Sequence, residues 1–215
     1  MMHVLITAGP TYEPIDPVRF IGNRSSGKMG VALAMEYAEQ GCKVTLILGP
    51  SELNPVHPML EIVRIETAAE MFEATAARHP QANLCIFAAA VADYTPKYPA
   101  IQKHKKETES WTLELVKTKD IAGILGQRKQ PGQIHVGFAL ETNQEEQHAR
   151  EKLISKNLDM IVLNSLQTAG AGFGHDTNQI TIFDIRGGIR IFEKKSKTKV
   201  AEDIRCYIES NIIPG

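Results

Sequence analysis

Five short, almost wholly apolar runs, each separated from the next by longer amphipathic stretches, constrain the fold of this chain more than any other feature. They are HVLITA (3–8), KVTLIL (43–48), NLCIFAAA (83–90), IHVGFA (134–139) and DMIVLN (159–164). A strand apolar on both faces has to be covered on both faces, which a mostly parallel sheet between two layers of helices provides. Helical periodicity fills the gaps over 30–40, 67–78, 119–128 and 143–156. Thr67 and Glu70 have capping-box spacing at the start of the second helix, and Gly41 stands where the first needs a stop. Strand–helix alternation implies right-handed βαβ units and an α/β three-layer fold with a parallel sheet. Ligands of such sheets gather at the carboxyl ends of the strands, so the loops after residues 8, 48, 90, 139 and 164 are where function is expected.

The last fifth of the chain changes style. QITIFDI and GIRIFEK alternate apolar and polar residues and are joined through Arg186-Gly187-Gly188, which predicts a C-terminal β-hairpin over 178–192. TKVAEDIRCYIES then reads as a closing helix. No repeat or linker interrupts the pattern, so residues 1–215 are expected to form a single domain.

Composition narrows the partners. A formal charge of −1 gives no electrostatic reason to bind nucleic acid or an anionic membrane. No apolar run approaches the ~20 residues that span a bilayer. The segment MMHVLITAG has neither the basic region nor the cleavage site of a signal peptide, so a cytoplasmic location is expected. Cys42, Cys85 and Cys206 are odd in number and far apart, and read as buried thiols rather than a disulfide framework or zinc site. The seven histidines show no metal-ligand spacing.

GNRSSGKMG (22–30) nearly spells a phosphate-binding P-loop, but Met29 stands where a magnesium-binding Ser or Thr belongs. Thirteen residues also separate Ala8 from Gly22, whereas a P-loop joins strand to helix directly. The dinucleotide fingerprint G-x-G-x-x-G is absent too, and LILGP ends the second strand without a carboxylate for a ribose. What remains is Ser25, Ser26 and Gly27 leading into a helix whose free N–H groups would hold an anion. The plain alternative is a serine cap followed by glycines that pack helix against sheet.

With its flanks, LITAGPTYEPIDPVRFIGNRSSGKMG resembles the opening of the phosphopantothenoylcysteine synthetase (phosphopantothenate–cysteine ligase) family of coenzyme A biosynthesis. The likeness continues in order through AAAVADYTP, QKHKKE, LVKTKDI, GFALET and AREKLISKNLDMIVLN, nearly the whole chain. The resemblance implies a modified Rossmann-like sheet, a homodimer, and in bacteria frequent fusion to a phosphopantothenoylcysteine decarboxylase. It also implies a two-step reaction. CTP with Mg²⁺ converts phosphopantothenate to an acyl-cytidylate and pyrophosphate, and L-cysteine then displaces CMP to form the amide.

Residue by residue, the same resemblance assigns roles. Arg19 and Asn23 match positions that address phosphopantothenate and the acyl-cytidylate, while Lys103 matches the catalytic first lysine of a mobile K-x-K-K loop. Gly9, Ser25, Ser26, Gly27, Ala88, Ala89, Lys117, Phe138, Lys152 and Lys156 fall on the nucleotide side, and Asp93 on a magnesium or hydroxyl position. Lys117 precedes Thr118-Lys119-Asp120, where the commoner family form has Asn-Pro before the Asp. Read without the family, these residues have plainer meanings. Asp93 could cap a loop, Arg19 form a loop ion pair, Asn23 take a capping or left-handed turn position, and Phe138 join the core. Lys103 to Lys106 could be a solvated surface, as could Lys152 and Lys156, which share one helix face at a spacing of four. Two other functions fit an α/β chain: a non-catalytic nucleotide-binding module, and a short-chain oxidoreductase, for which no Y-x-x-x-K follows a suitable strand.

Overall fold

The computed structural model describes residues 1–105, 109–141, 144–165 and 175–213. Lys106, last of the basic loop, and Asn143, first of the fourth expected helix, lie outside the described residues.

Six parallel strands form the body of the sheet: β1 (His3–Ala8), β2 (Lys43–Leu48), β3 (Leu60–Arg64), β4 (Leu84–Phe87), β5 (Ile134–Glu141) and β6 (Met160–Ser165). The expected hairpin, β7 (Ile180–Asp184) and β8 (Ile189–Ile191), continues the sheet antiparallel from β6. The strand order is β8-β7-β6-β5-β4-β1-β2-β3. The sheet is therefore mixed, and its order reverses between β1 and β4. That reversal leaves a crevice above the carboxyl ends of these two strands.

Helices cover both faces. α1 (Lys28–Glu39) and α5 (Lys197–Asn211) pack together on one, over Val4, Ile6, Leu46, Ile86, Val136 and Val162. α2 (Ala68–Arg78), α3 (Ile121–Gly126) and α4 (Glu145–Ser155) lie on the other, over Leu5, Ile47, Cys85, Phe87 and Ile161. Alternate residues of one strand thus feed two separate cores, the consequence of the period-two side-chain alternation of a strand.

The local signals hold. Thr67 Oγ1 accepts from the Glu70 amide at 3.2 Å, and the Glu70 carboxylate accepts from the Thr67 amide at 3.1 Å, closing the capping box of α2. Gly41, at φ +78°, donates to Ala38 O while Cys42 donates to Tyr37 O, a Schellman stop for α1. Some bounds move. The expected strand 83–90 ends at Phe87, where its pairing with β5 stops, although Ala88 and Ala90 still donate to Thr7 O and Gly9 O at 3.1 and 2.9 Å beside β1. The helix expected over 119–128 runs only over Ile121–Gly126, since Asp120 accepts from the Gly123 amide and caps it. Strand β3 stands in the sheet without having been expected. Two of the three cysteines also depart from the expectation of buried thiols: Cys206 is exposed and Cys42 half-buried, leaving Cys85 alone in the core.

Candidate active site

A cavity of about 710 Å³ opens at the carboxyl ends of β1, β4 and β5, where the strand order reverses. Its size is that of a site for a cofactor-sized ligand.

One wall is the amino end of α1. Gly27 caps this helix in the left-handed conformation, φ +78°, which costs other residues strain. A side chain there would press on Gly9 Cα and Leu48 Cδ1, both 3.3 Å from the position of a Cβ. Gly30 is tighter: a Cβ would lie 2.3 Å from Ala8 Cβ. The packing role of these glycines stands, whereas the expected serine cap does not: Gly27 is itself the cap, with no side-chain cap bond. The glycines seat α1 against β1, and by doing so present Ser25, Ser26 and the unpaired first N–H groups of the helix to the cavity. Gly9 itself packs against Gly49 and is not on the cavity wall.

The opposite wall comes from the loop after β4. Ala88, Ala89 and Asp93 line it. A short ribbon, Tyr94–Pro96 paired with Leu115–Lys117, ties Lys117 to that loop. Thr118 fixes the join, its amide donating to Asp93 O at 2.9 Å and its hydroxyl to Ala92 O at 2.6 Å. Asn23 bridges the two walls, donating from Nδ2 to Ala90 O at 2.9 Å and to Val91 O at 3.1 Å.

Lysines close the remaining sides. Lys152 and Lys156 reach in from the end of α4, and Phe138 stands beside them at the end of β5. Lys156 Nζ lies 2.9 Å from Asp120 Oδ1. Burial raises the affinity of Asp120 for a proton, but the Lys156 hydrogen bond and the Gly123 amide outweigh it and hold the carboxyl below its usual range. Several lining residues were not among the expected site residues: Lys28, Lys119, Asp120, Asn164 and Lys197. Lys119 Nζ sits 4.3 Å from the centre of the Phe72 ring, and Lys28 Nζ 2.6 Å from Asp176 Oδ1. Lys197 donates to His175 O, and burial lowers its pKa, with the charge of Lys28 adding to the effect. Asn164 Oδ1 is buried on this wall without a hydrogen-bond partner among the described residues. Six lysines and two carboxylates thus face one cavity of a chain whose formal charge is −1. Such a wall concentrates positive potential where a polyphosphate would lie.

Arg19 and Lys103 are not on the wall. Arg19 pairs with Asp16, donates to His104 O at 3.1 Å and lies 4.9 Å from the Trp111 ring centre. Arg19 beside Asp16 is the main force holding that carboxyl well below the ordinary carboxylate range. Asp16 Oδ2 also accepts from the His104 amide at 3.2 Å, so this pair tethers the loop that carries exposed Lys103.

The comparisons with known proteins agree with this architecture. The family model described as the DNA/pantothenate metabolism flavoprotein C-terminal domain matches residues 1–211. The chain is 48% identical over 202 residues to the coenzyme A biosynthesis bifunctional protein of Bacillus subtilis (strain 168), covering 94% of this chain and 50% of that one. It is 51% identical over 201 residues to a protein of an unknown prokaryotic organism named cysteine/cysteine sulfinic acid decarboxylase, covering 94% and 56%. The chain therefore spans about half the length of these curated relatives. Among solved structures, the C-terminal domain of a coenzyme A biosynthesis bifunctional protein superposes with a TM-score of 0.82 at 38% identity, covering 97% of this chain and 94% of that one. A Cab2 H337A complex with phosphopantothenate-cysteine shares the fold, with a TM-score of 0.73 at 18% identity, covering 97% and 86%. With a model match across 1–211 and a homologous domain matched nearly end to end, the chain belongs to the DNA/pantothenate metabolism flavoprotein C-terminal domain family.

Proposed function

We propose that this chain is the phosphopantothenate–cysteine ligase of coenzyme A biosynthesis, using CTP to form an acyl-cytidylate that cysteine converts to the amide. The observation that carries the reading is the cavity at the strand reversal, where a helix amino end and a group of lysines face each other across a space of nucleotide size. The family's occurrence in coenzyme A biosynthesis bifunctional proteins supports the substrate.

The chemistry needs no protein nucleophile, because the substrate carboxylate is one already. The protein has to align that carboxylate with the α-phosphate and offset negative charge as pyrophosphate leaves. Lys117, Lys119, Lys152 and Lys156 are placed for the nucleotide phosphates, and Phe138 and the small Ala88-Ala89 surface for its base and ribose. The α1 amino end offers N–H groups and a positive dipole end to a phosphoryl oxygen. Asn23 joins the two walls at the point where the reacting groups would meet. Each well-aimed donor of this kind contributes on the order of 3 kcal/mol to the transition state.

Magnesium is implied by the reaction. Asp93 fits it as an exposed lining carboxylate, in keeping with an ion that takes one or two carboxylates plus substrate phosphates. Bound there, the ion would offset phosphate charge. Asp120 is already committed to Lys156 and the cap of α3. A cytoplasmic homodimer, with the decarboxylase fused or separate, completes the reading.

The test is pyrophosphate release measured with CTP, ATP or NADPH in parallel, with and without phosphopantothenate. We expect release that requires phosphopantothenate and is well faster with CTP than with ATP, and an amide product once cysteine is added. Nucleotide binding without pyrophosphate release would make the chain a binding module instead.

A further inference from the structure

The histidines and cysteines looked unrelated in the sequence, yet the fold gathers three of them. Cys85 on β4 and His135 on β5 are register partners in the parallel sheet. His79, in the single turn that follows α2, comes down onto the same face. Their ligand atoms all lie within 4.8 Å of one another, and the three residues are buried, at 0%, 0% and 2% exposure for Cys85, His135 and His79. The two imidazoles meet Nε2 to Nε2 at 3.0 Å. His135 Nδ1 has no hydrogen-bond partner among the described residues. A buried nitrogen without a partner is uncommon in a native core, and here it is free to take the proton that Nε2 gives up when it ligates.

We propose that His79, Cys85 and His135 form a binding site for one zinc ion, separate from the magnesium of the reaction. Two imidazoles, one thiol and no carboxylate are a borderline-soft donor set that suits zinc and not magnesium or calcium. A tetrahedral zinc ion holds nitrogen and sulfur donors roughly 3.3–3.6 Å apart, from bonds of ~2.0–2.3 Å. The imidazole pair already stands near that spacing, and the Cys85 sulfur lies within 4.8 Å of both rings' ligand atoms. Gln133 Oε1, 3.3 Å from His135 Nε2, is the nearest further oxygen donor. On binding, the Cys85 thiol gives its proton to solvent and a sulfur–zinc bond forms. The imidazoles bind as neutral bases, the proton shared between their Nε2 atoms moving to a nitrogen that does not ligate. Phe87, which lines the cavity, lies 5.4 Å from the His135 ring centre and separates this cluster from the nucleotide site. The ion would therefore pin the end of α2 to two central strands beneath the cavity.

The test uses the full chain carrying Cys42→Ala and Cys206→Ala, so that Cys85 is its one thiol. Stripped protein is titrated with cobalt(II) and then with zinc. We expect one cobalt per chain, a thiolate-to-cobalt charge-transfer absorption that zinc abolishes, and a melting temperature that rises with zinc concentration. His79→Gln should weaken cobalt binding at least tenfold, and Cys85→Ala should remove the charge-transfer absorption. Absence of that absorption in the parent protein overturns the proposal by itself, whether or not the variants fold. Its persistence in folded Cys85→Ala, or unweakened binding by folded His79→Gln, overturns it as well.

Discussion

Lys103 and Arg19, both expected at the site, lie off its wall in this structure. Lys103 is exposed, while Asp16 and Arg19 hold the neighbouring His104 from two sides. A lysine on such a loop reaches the reactants only by moving toward them, so its charge should act late, when CMP leaves. Lys103→Gln is accordingly expected to keep most of its pyrophosphate release and to form amide roughly 10²–10³-fold more slowly, the loss of one charge-assisted contact at a transition state. Acyl-cytidylate should then build up and be visible by mass spectrometry of quenched mixtures. A fully active variant would return Lys103 to the solvated surface, and equal loss of both steps would place it on the CTP phosphates from the start.

At the scale of elements, the β7–β8 hairpin and α5 are joined through one buried group. Asp184 accepts from the Tyr207 hydroxyl at 2.6 Å and from the amides of Arg186 and Gly188 at 2.8 and 2.9 Å. Burial raises the Asp184 pKa, but these donors outweigh it and the net shift is downward, while burial and the carboxylate push Tyr207 up to about 12. A carboxyl with a depressed pKa in the folded state adds stability above its ordinary range near pH 4, and that stability is lost as the pH falls through the folded value. Tyr207→Phe should therefore cost about 1.5–3 kcal/mol at neutral pH, as for a buried hydrogen bond to a charged group, and lower the melting temperature by several degrees. The gap between variant and wild type should narrow as the pH falls below the ordinary carboxylate range, and a gap that widens in acid would refute the assignment. The hairpin was legible because turn glycines and alternation are local signals. Strand β3 was not: Pro50, Pro55 and Pro58 precede it and no helix joins it to β2, so the strand–helix rhythm breaks there. The lysines of α4 and Lys117 could be placed through motifs in the sequence, and the structure brings them to one cavity. Lys197 and the Cys85–His135 pair could not, because a helix packed across the fold and a strand register leave no spacing to read.

For the whole molecule, the two edges of the sheet differ in a way that bears on assembly. β3 ends one side with Glu61 and Arg64 among its residues, and Arg64 donates to Ser51 O and Leu53 O, so the edge is charged and partly covered. β8 ends the other side with Ile189 and Ile191 on one face at 52% and 72% exposure, and Ile185 at the turn is 54% exposed. A bare apolar edge strand is a liability that proteins cover or blunt with charge. Among the described residues the isoleucine face of β8 carries no charge, which favours a partner there, and a second copy of the chain is the simplest. Light scattering should then give about twice the 23.8 kDa chain mass. Ile191→Lys places an exposed charge on the strand where a lone chain would tolerate it, so the variant should fold but shift toward the monomer on dilution. A parent protein that is monomeric at every concentration would remove the dimer from the proposal. A variant as dimeric as the parent would keep the dimer and move its interface away from β8.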